Sequence, residues 1–158
     1  MNSLNDDQNE LIAIKRLERA ITVAKGEFSL ILACCNSLNK QQQIVNILKK
    51  SLSEDIAEIF LLPNAETLYT TITNSLDKTQ PAGIMIRGLE AVTNINQLLI
   101  STNIMRDEFR KNFHFPLVLW VNDEIISQLV WLAPDLKNWA ASTIRFETSL
   151  IEQPILSV

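Results

Sequence analysis

The eight residues NSLNKQQQ (36–43) stand where an apolar run gives way to a helical pattern. In many α/β proteins such a junction holds a nucleotide's phosphates against the start of the helix. A phosphate cradle of the form G-x-x-x-x-G-K-[ST] needs glycines so that backbone amides can turn inward. It also needs a lysine against the β and γ charges and a hydroxyl to ligate magnesium. Counted from Asn36, neither glycine is present, Gln42 stands for the lysine and Gln43 for the hydroxyl residue. Placing Lys40 as the lysine leaves Cys34 and Asn39 for the glycines and Gln41 for the hydroxyl, so no register restores more than one element. The strand that should end on a metal-holding aspartate, GIMIRGLE (83–90), ends in Arg87 and Gly88, with Glu90 as a displaced carboxylate. Loss of the cradle and of the metal ligand together argues against hydrolysis.

Other chemistry finds less support. Cys34 and Cys35 are adjacent, and neighbours in a strand point to opposite faces, which argues against an ordinary disulfide between them and for small residues in a buried strand rather than redox chemistry. A metal centre needs more ligands than this pair and the single histidine, His114, can supply. His114 lies between two phenylalanines with no nucleophile motif beside it, and reads as a packing or surface residue. Asp123 and Glu124 open a helix, where capping and the helix dipole explain them. No catalytic residue, metal ligand or cofactor is assigned.

With 158 residues, 47% of them hydrophobic and 20% charged, the chain fits one globular domain. A net charge of −4 gives no global attraction for nucleic acid or an anionic membrane. No apolar run approaches the roughly 18 residues of a membrane span, and the acidic start MNSLNDDQNE is unlike a secretory leader. The expected setting is soluble and cytoplasmic.

The elements follow from periodicity. ELIAIKRLERAITVAKG (10–26) has apolar residues at helical spacing and a closing Gly26. FSLILACC (28–35) is a continuous apolar run, the mark of a strand covered on both faces. A helix over 39–51, a strand over 56–62, a helix over 65–76 and a strand over 83–88 come next. One long helix over 93–111, a strand over 115–121 and a helix capped by Asn122 or Asp123 continue the alternation. A short helix from Pro134 and a strand over 143–147 complete it. This pattern predicts a three-layer α/β/α fold around a five-stranded parallel sheet. The expected organisation is a flexible N-terminus over 1–10, one domain over 11–147, and a tail or linker over 148–158. Trp120, in an apolar strand, and Trp139, on a short covering helix, are expected to be structural.

The stretch 103–147 carries a family resemblance. Asn103, Arg106, Asp107 and Phe109, then Pro116-Leu117-Val118-Leu119-Trp120, Leu129, Ala133-Pro134-Asp135, Trp139 and Phe146-Glu147 are its residues. They resemble the end of a degenerate P-loop domain of the STAND NTPase class, found at the front of bacterial tetratricopeptide-repeat proteins. The first half fits that family through element order alone. The resemblance implies a P-loop-NTPase-like sheet lacking Walker motifs, with strand 1 beside strand 4 and strand 3 close by. It also implies a role in protein assembly or signal transduction.

Two functions are in play. The preferred one is a catalytically inactive interaction or regulatory module of a signalling or scaffold protein, with a protein partner and a homo-oligomer left open. The alternative is a switch that binds ATP or ADP without hydrolysing it, using Asn36, Lys40, Glu90 and Asn122 at the strand ends, where open parallel sheets place their ligands. The candidate partner face carries Arg106, Arg110 and Lys111, of which the two arginines lie one helical turn apart.

Overall fold

A computed structural model describes residues 3–52, 55–141 and 143–147. The expected tail over 148–158 lies outside the described residues. Five strands, β1 (Ser29–Cys35), β2 (Ile56–Phe60), β3 (Gly83–Arg87), β4 (Pro116–Val121) and β5 (Thr143–Phe146), form one sheet in the order β2-β3-β4-β1-β5. Every pairing is parallel. The α/β class and the five-stranded parallel sheet are as the alternation predicted, and β1 does lie beside β4, with β3 next to β4.

Among the described residues, seven α-helices cover the sheet: α1 (Ser3–Val23), α2 (Leu38–Ser51), α3 (Leu68–Ser75), α4 (Ile95–Ile104), α5 (Arg106–Asn112), α6 (Asp123–Leu132) and α7 (Pro134–Trp139). Side chains alternate along each strand, so one face of the sheet packs Ile31, Ala33 and Cys35 against α1 and α2. The other face packs Leu30, Leu32 and Cys34 against the layer built from α3 to α7. This alternation puts the two cysteines on opposite faces, both buried and not disulfide-bonded. β3 and β4 are buried along their whole length, which is why they read as unbroken apolar runs. Trp120 is fully buried and packs against Phe146, the two rings tilted at 36° with their centres 5.5 Å apart. Trp139 is partly buried, with its ring edge-on to Phe28 at 6.2 Å.

β2 ends at Phe60 rather than at residue 62 and α3 begins at Leu68 rather than at residue 65, and two larger departures from the sequence expectation stand beside these shifts. Helix α1 is already formed at Ser3, inside the segment expected to be a flexible terminus. The single long helix expected over 93–111 is two helices that turn at Met105. The turn lets Leu98 and Leu99 on α4 and Phe109 on α5 all reach the same core. Arg106 fixes it by donating from Nη1 to the Asn103 carbonyl at 2.6 Å, while Asn103 Oδ1 accepts the Leu136 amide at 2.8 Å.

Among the described residues, no helix is long and apolar enough to cross a membrane.

Candidate functional site

The carboxyl ends of the strands are where a parallel sheet of this kind places a ligand, at the point where the chain's winding direction reverses. Here that point lies between β1 and β4. β1 leads into α2 on one face, and β4 leads into α6 on the other. Three features occupy the strand ends at and beside it.

The first is the junction itself. β1 ends at Cys35 and α2 begins at Leu38, so the connection consists of Asn36 and Ser37. Ser37 has extended backbone angles and its Oγ accepts the Lys40 amide at 3.1 Å, while its carbonyl accepts the Gln41 amide at 2.9 Å. This is an ordinary N-cap. It uses amides that a phosphate cradle would turn toward the ligand, and two residues are too few to wrap around one. The residues from Leu38 to Gln43, which the sequence comparison laid along the cradle, are already helix.

The second is a buried polar network at the end of β3. Arg87 is 4% exposed and donates from Nε to Gln41 Oε1 at 2.7 Å. Its Nη1 donates to Gln42 Oε1 and to Glu58 Oε2, both at 2.8 Å. The guanidinium also lies 5.1 Å from the centre of the Phe60 ring. Lys49 completes the arrangement by pairing with the other oxygen of Glu58. Burial pushes the Glu58 carboxyl up, but the hydrogen bonds from Arg87 and Lys49 together outweigh it and hold its pKa below the ordinary value. A positive charge therefore stands at the strand end where hydrolysis requires a carboxylate, and it is satisfied from within the chain. Gly88 follows with φ +91°, and a Cβ there would meet the Phe60 ring at 3.0 Å and the Leu61 carbonyl at 3.1 Å. The glycine lets the chain turn closely past Phe60 and so keeps that ring against Arg87.

The third feature bridges the reversal point. Asn36 Nδ2 donates to Asp123 Oδ2 and Asn36 Oδ1 accepts the Asp123 amide, both at 2.9 Å. Arg145, on β5, donates to Asp123 Oδ1 at 2.7 Å. Hydrogen bonds from Arg145 and then Asn36 hold the Asp123 carboxyl below the ordinary carboxylate value. Cys34 lies beneath, with its thiol 3.6 Å from Asp123 Oδ1. Burial, and next the Asp123 carboxylate, push that thiol up to about 11, so it is not a nucleophile near neutral pH. Sequence reasoning explained Asp123 by its helix start. In the fold Asn122 does the capping, accepting the Ile125 amide at 2.8 Å, and frees Asp123 to join three strands.

The four strand-end residues of the nucleotide-switch reading are thus engaged or apart. Asn36 bonds Asp123, Asn122 caps α6, and Lys40 pairs with Glu10 on α1 at 2.7 Å. Glu90 sits half-buried on a single 3-10 turn, Leu89–Ala91, after β3. On the candidate partner face, Arg106 reaches Asp135 at 3.7 Å and Arg110 stacks over Trp139 at 4.1 Å from the ring centre, while Lys111 is exposed. Among the described residues, no group of three or more His, Cys, Asp or Glu side chains is placed to hold a metal ion. The residues present do not fit a magnesium nucleotide.

No protein-family model, no curated protein and no solved structure matches this chain.

Proposed function

We propose that the chain is a catalytically inactive, P-loop-like interaction and regulatory module of a signalling or scaffold protein, working in the cytoplasm through a protein partner. The observation that carries this reading is the two-residue connection between β1 and α2, capped by Ser37 where a phosphate cradle would stand. The Arg87 network supports it, because a buried guanidinium at the end of β3 opposes a metal ion at the same place. The neighbour relation of β1, β4 and β3 supports the P-loop-like ancestry. The alternative, a nucleotide switch, must first break the Asn36–Asp123 bridge, the Lys40–Glu10 pair and the Ser37 cap. It also lacks the glycine loop whose inward-turned amides make most phosphate contacts. The face of Arg106, Arg110 and Lys111 is the proposed partner contact, with both guanidiniums held in place by Asp135 and Trp139. Phosphate release from ATP and GTP with magnesium is the test of inactivity. The expected result is no turnover above buffer. Turnover that survives purification and vanishes in Lys40→Ala overturns the reading.

A further inference from the structure

Helix α1 buries Ala13, Ile14, Leu17 and Ile21 in the core between the sheet and α2. Its outward side carries a second regular stripe. Ile12, Arg16, Arg19 and Val23 recur at i, i+4, i+7 and i+11, the spacing with which one helix meets another. All four are exposed, Ile12 by 57% and Val23 by 72%. Together they span about 16 Å along the helix. The charge on this stripe is uncompensated. Residues three and four apart are neighbours on a helix surface, and neither arginine has a carboxylate at those positions. Arg19 has Lys15 and Arg16 there instead, and like charges so placed repel. Between Gln8 and Val23 the helix has two acids, and α2 engages both: Glu10 pairs with Lys40, and Glu18 accepts the Ser51 hydroxyl. Among the described residues no hydrogen bond or ion pair engages Arg16 or Arg19, whereas Arg87, Arg106 and Arg145 each pair with a carboxylate.

We infer that this stripe docks a helix of a different protein, whose facing residues run apolar, acidic, acidic, apolar at the same spacing. Charge complementarity selects that occupant. Each guanidinium can bind a carboxylate through two parallel hydrogen bonds, and the end layers cover Ile12 and Val23. Binding also relieves the repulsion within α1. A second copy of this chain is a poor occupant. Parallel pairing of the stripe sets Arg16 against Arg16, and antiparallel pairing sets Arg16 against Arg19, so either puts two layers of like charge in the seam. An anionic bilayer is poor as well. It takes a helix with a broad apolar face, and that face of α1 is already spent on the core, while the net charge of −4 opposes approach. The stripe lies in the α1–α2 layer, across the sheet from the Arg106 face, and the inference stands apart from that face and from the P-loop-like reading.

The test is an amide-resolved NMR titration of the full chain with a stapled helical peptide carrying leucine, glutamate, glutamate and leucine at i, i+4, i+7 and i+11. The wild type is expected to show saturable shifts in the amides of α1 that weaken as salt is raised. The same peptide with its glutamates moved off the stripe is expected to bind about tenfold more weakly or worse. Arg16→Glu/Arg19→Glu, at exposed positions, is expected to melt no lower than the wild type and to lose the glutamate peptide. It should bind instead the version with lysines in place of the glutamates, a swap that a merely structural role for the arginines does not produce. The inference is overturned if millimolar glutamate peptide gives no saturable shift in α1, or if the reversed variant binds it as the wild type does. Vesicles containing phosphatidylserine that shift α1 where the peptide does not, or α1 shifts that follow the chain's own concentration, overturn it too, making a membrane or a second copy the occupant.

Discussion

Replacing Arg87 by methionine keeps the bulk of the side chain's stem and removes its charge and donors. Gln41, 1% exposed, then loses the donor on Oε1, and a buried acceptor left without its partner costs about 1–3 kcal/mol. Glu58 loses a charge-assisted bond of about 1.5–3 kcal/mol. It keeps Lys49 and is 19% exposed, so it is not abandoned as a fully buried charge would be. Against these losses stands the relief of a buried guanidinium, whose desolvation is itself unfavourable. The net expectation is a loss of about 3 kcal/mol, a large part of the roughly 5–15 kcal/mol of a small domain. Urea denaturation followed by tryptophan fluorescence reads it. Adding Gln41→Leu to Arg87→Met removes the orphaned acceptor and is expected to return about 1 kcal/mol or more. The effect is pH-dependent with a definite sign. Because Glu58's folded pKa lies below the ordinary value, its contribution is present above that value, about 4.3, and fades as pH falls through the folded pKa. The gap between wild type and Arg87→Met is therefore widest near neutral pH and narrows in acid. A loss smaller than about 1 kcal/mol at neutral pH, or a gap that widens in acid, refutes the account of Arg87 as a buried charge satisfied from within the chain.

The tryptophans should separate cleanly. Trp120→Ala is expected to cost about 3–5 kcal/mol because the ring is fully buried, while Trp131→Ala, at 82% exposure, should stay within about 0.5 kcal/mol; thermal melts of both decide it. The Asp123 carboxyl should titrate below the ordinary value by NMR, and Asn36→Ala should raise its pKa toward normal. Since Asp123 and Arg145 are both more than half exposed, the stability that this pair adds above the ordinary carboxylate pKa, and loses in acid, should not exceed about 1 kcal/mol. Native protein at mildly alkaline pH should react only slowly with a thiol reagent, since Cys34 and Cys35 are buried and the Cys34 thiol is raised to about 11; rapid labelling of both without unfolding would contradict the buried placement.

The strands were legible because buried parallel strands write themselves as unbroken apolar runs. SLILACC, GIMIR and PLVLWV are such runs, and the observed spans differ from the expected ones only at their ends. The break at Met105 was not legible, since no proline or glycine marks it. What sets it is an arginine gripping a carbonyl three residues back and an asparagine gripping α7, contacts that exist only after packing. The site was half legible. Missing glycines and the arginine at the end of β3 could be read directly, but not that Arg87 would meet Gln41 and Gln42, some forty-five residues earlier. Asp123 shows the same limit: at a helix start it reads as a cap, and only the sheet order brings Asn36 and Arg145 to it. Likewise Trp131 sits in an apolar helix, where sequence alone cannot distinguish its exposed face from its buried one.

The central claim is that the strand ends hold no nucleotide because the chain's own side chains and caps fill the place. An amide-resolved NMR titration of the full chain with magnesium ATP, and then with ADP, tests it most directly. The account predicts no saturable shift in the amides from Asn36 to Gln43 or from Arg87 to Glu90 at any concentration up to the millimolar range. Saturable shifts in those amides at micromolar nucleotide, lost when the same residues are substituted, would contradict it and make the nucleotide switch the correct description of this fold.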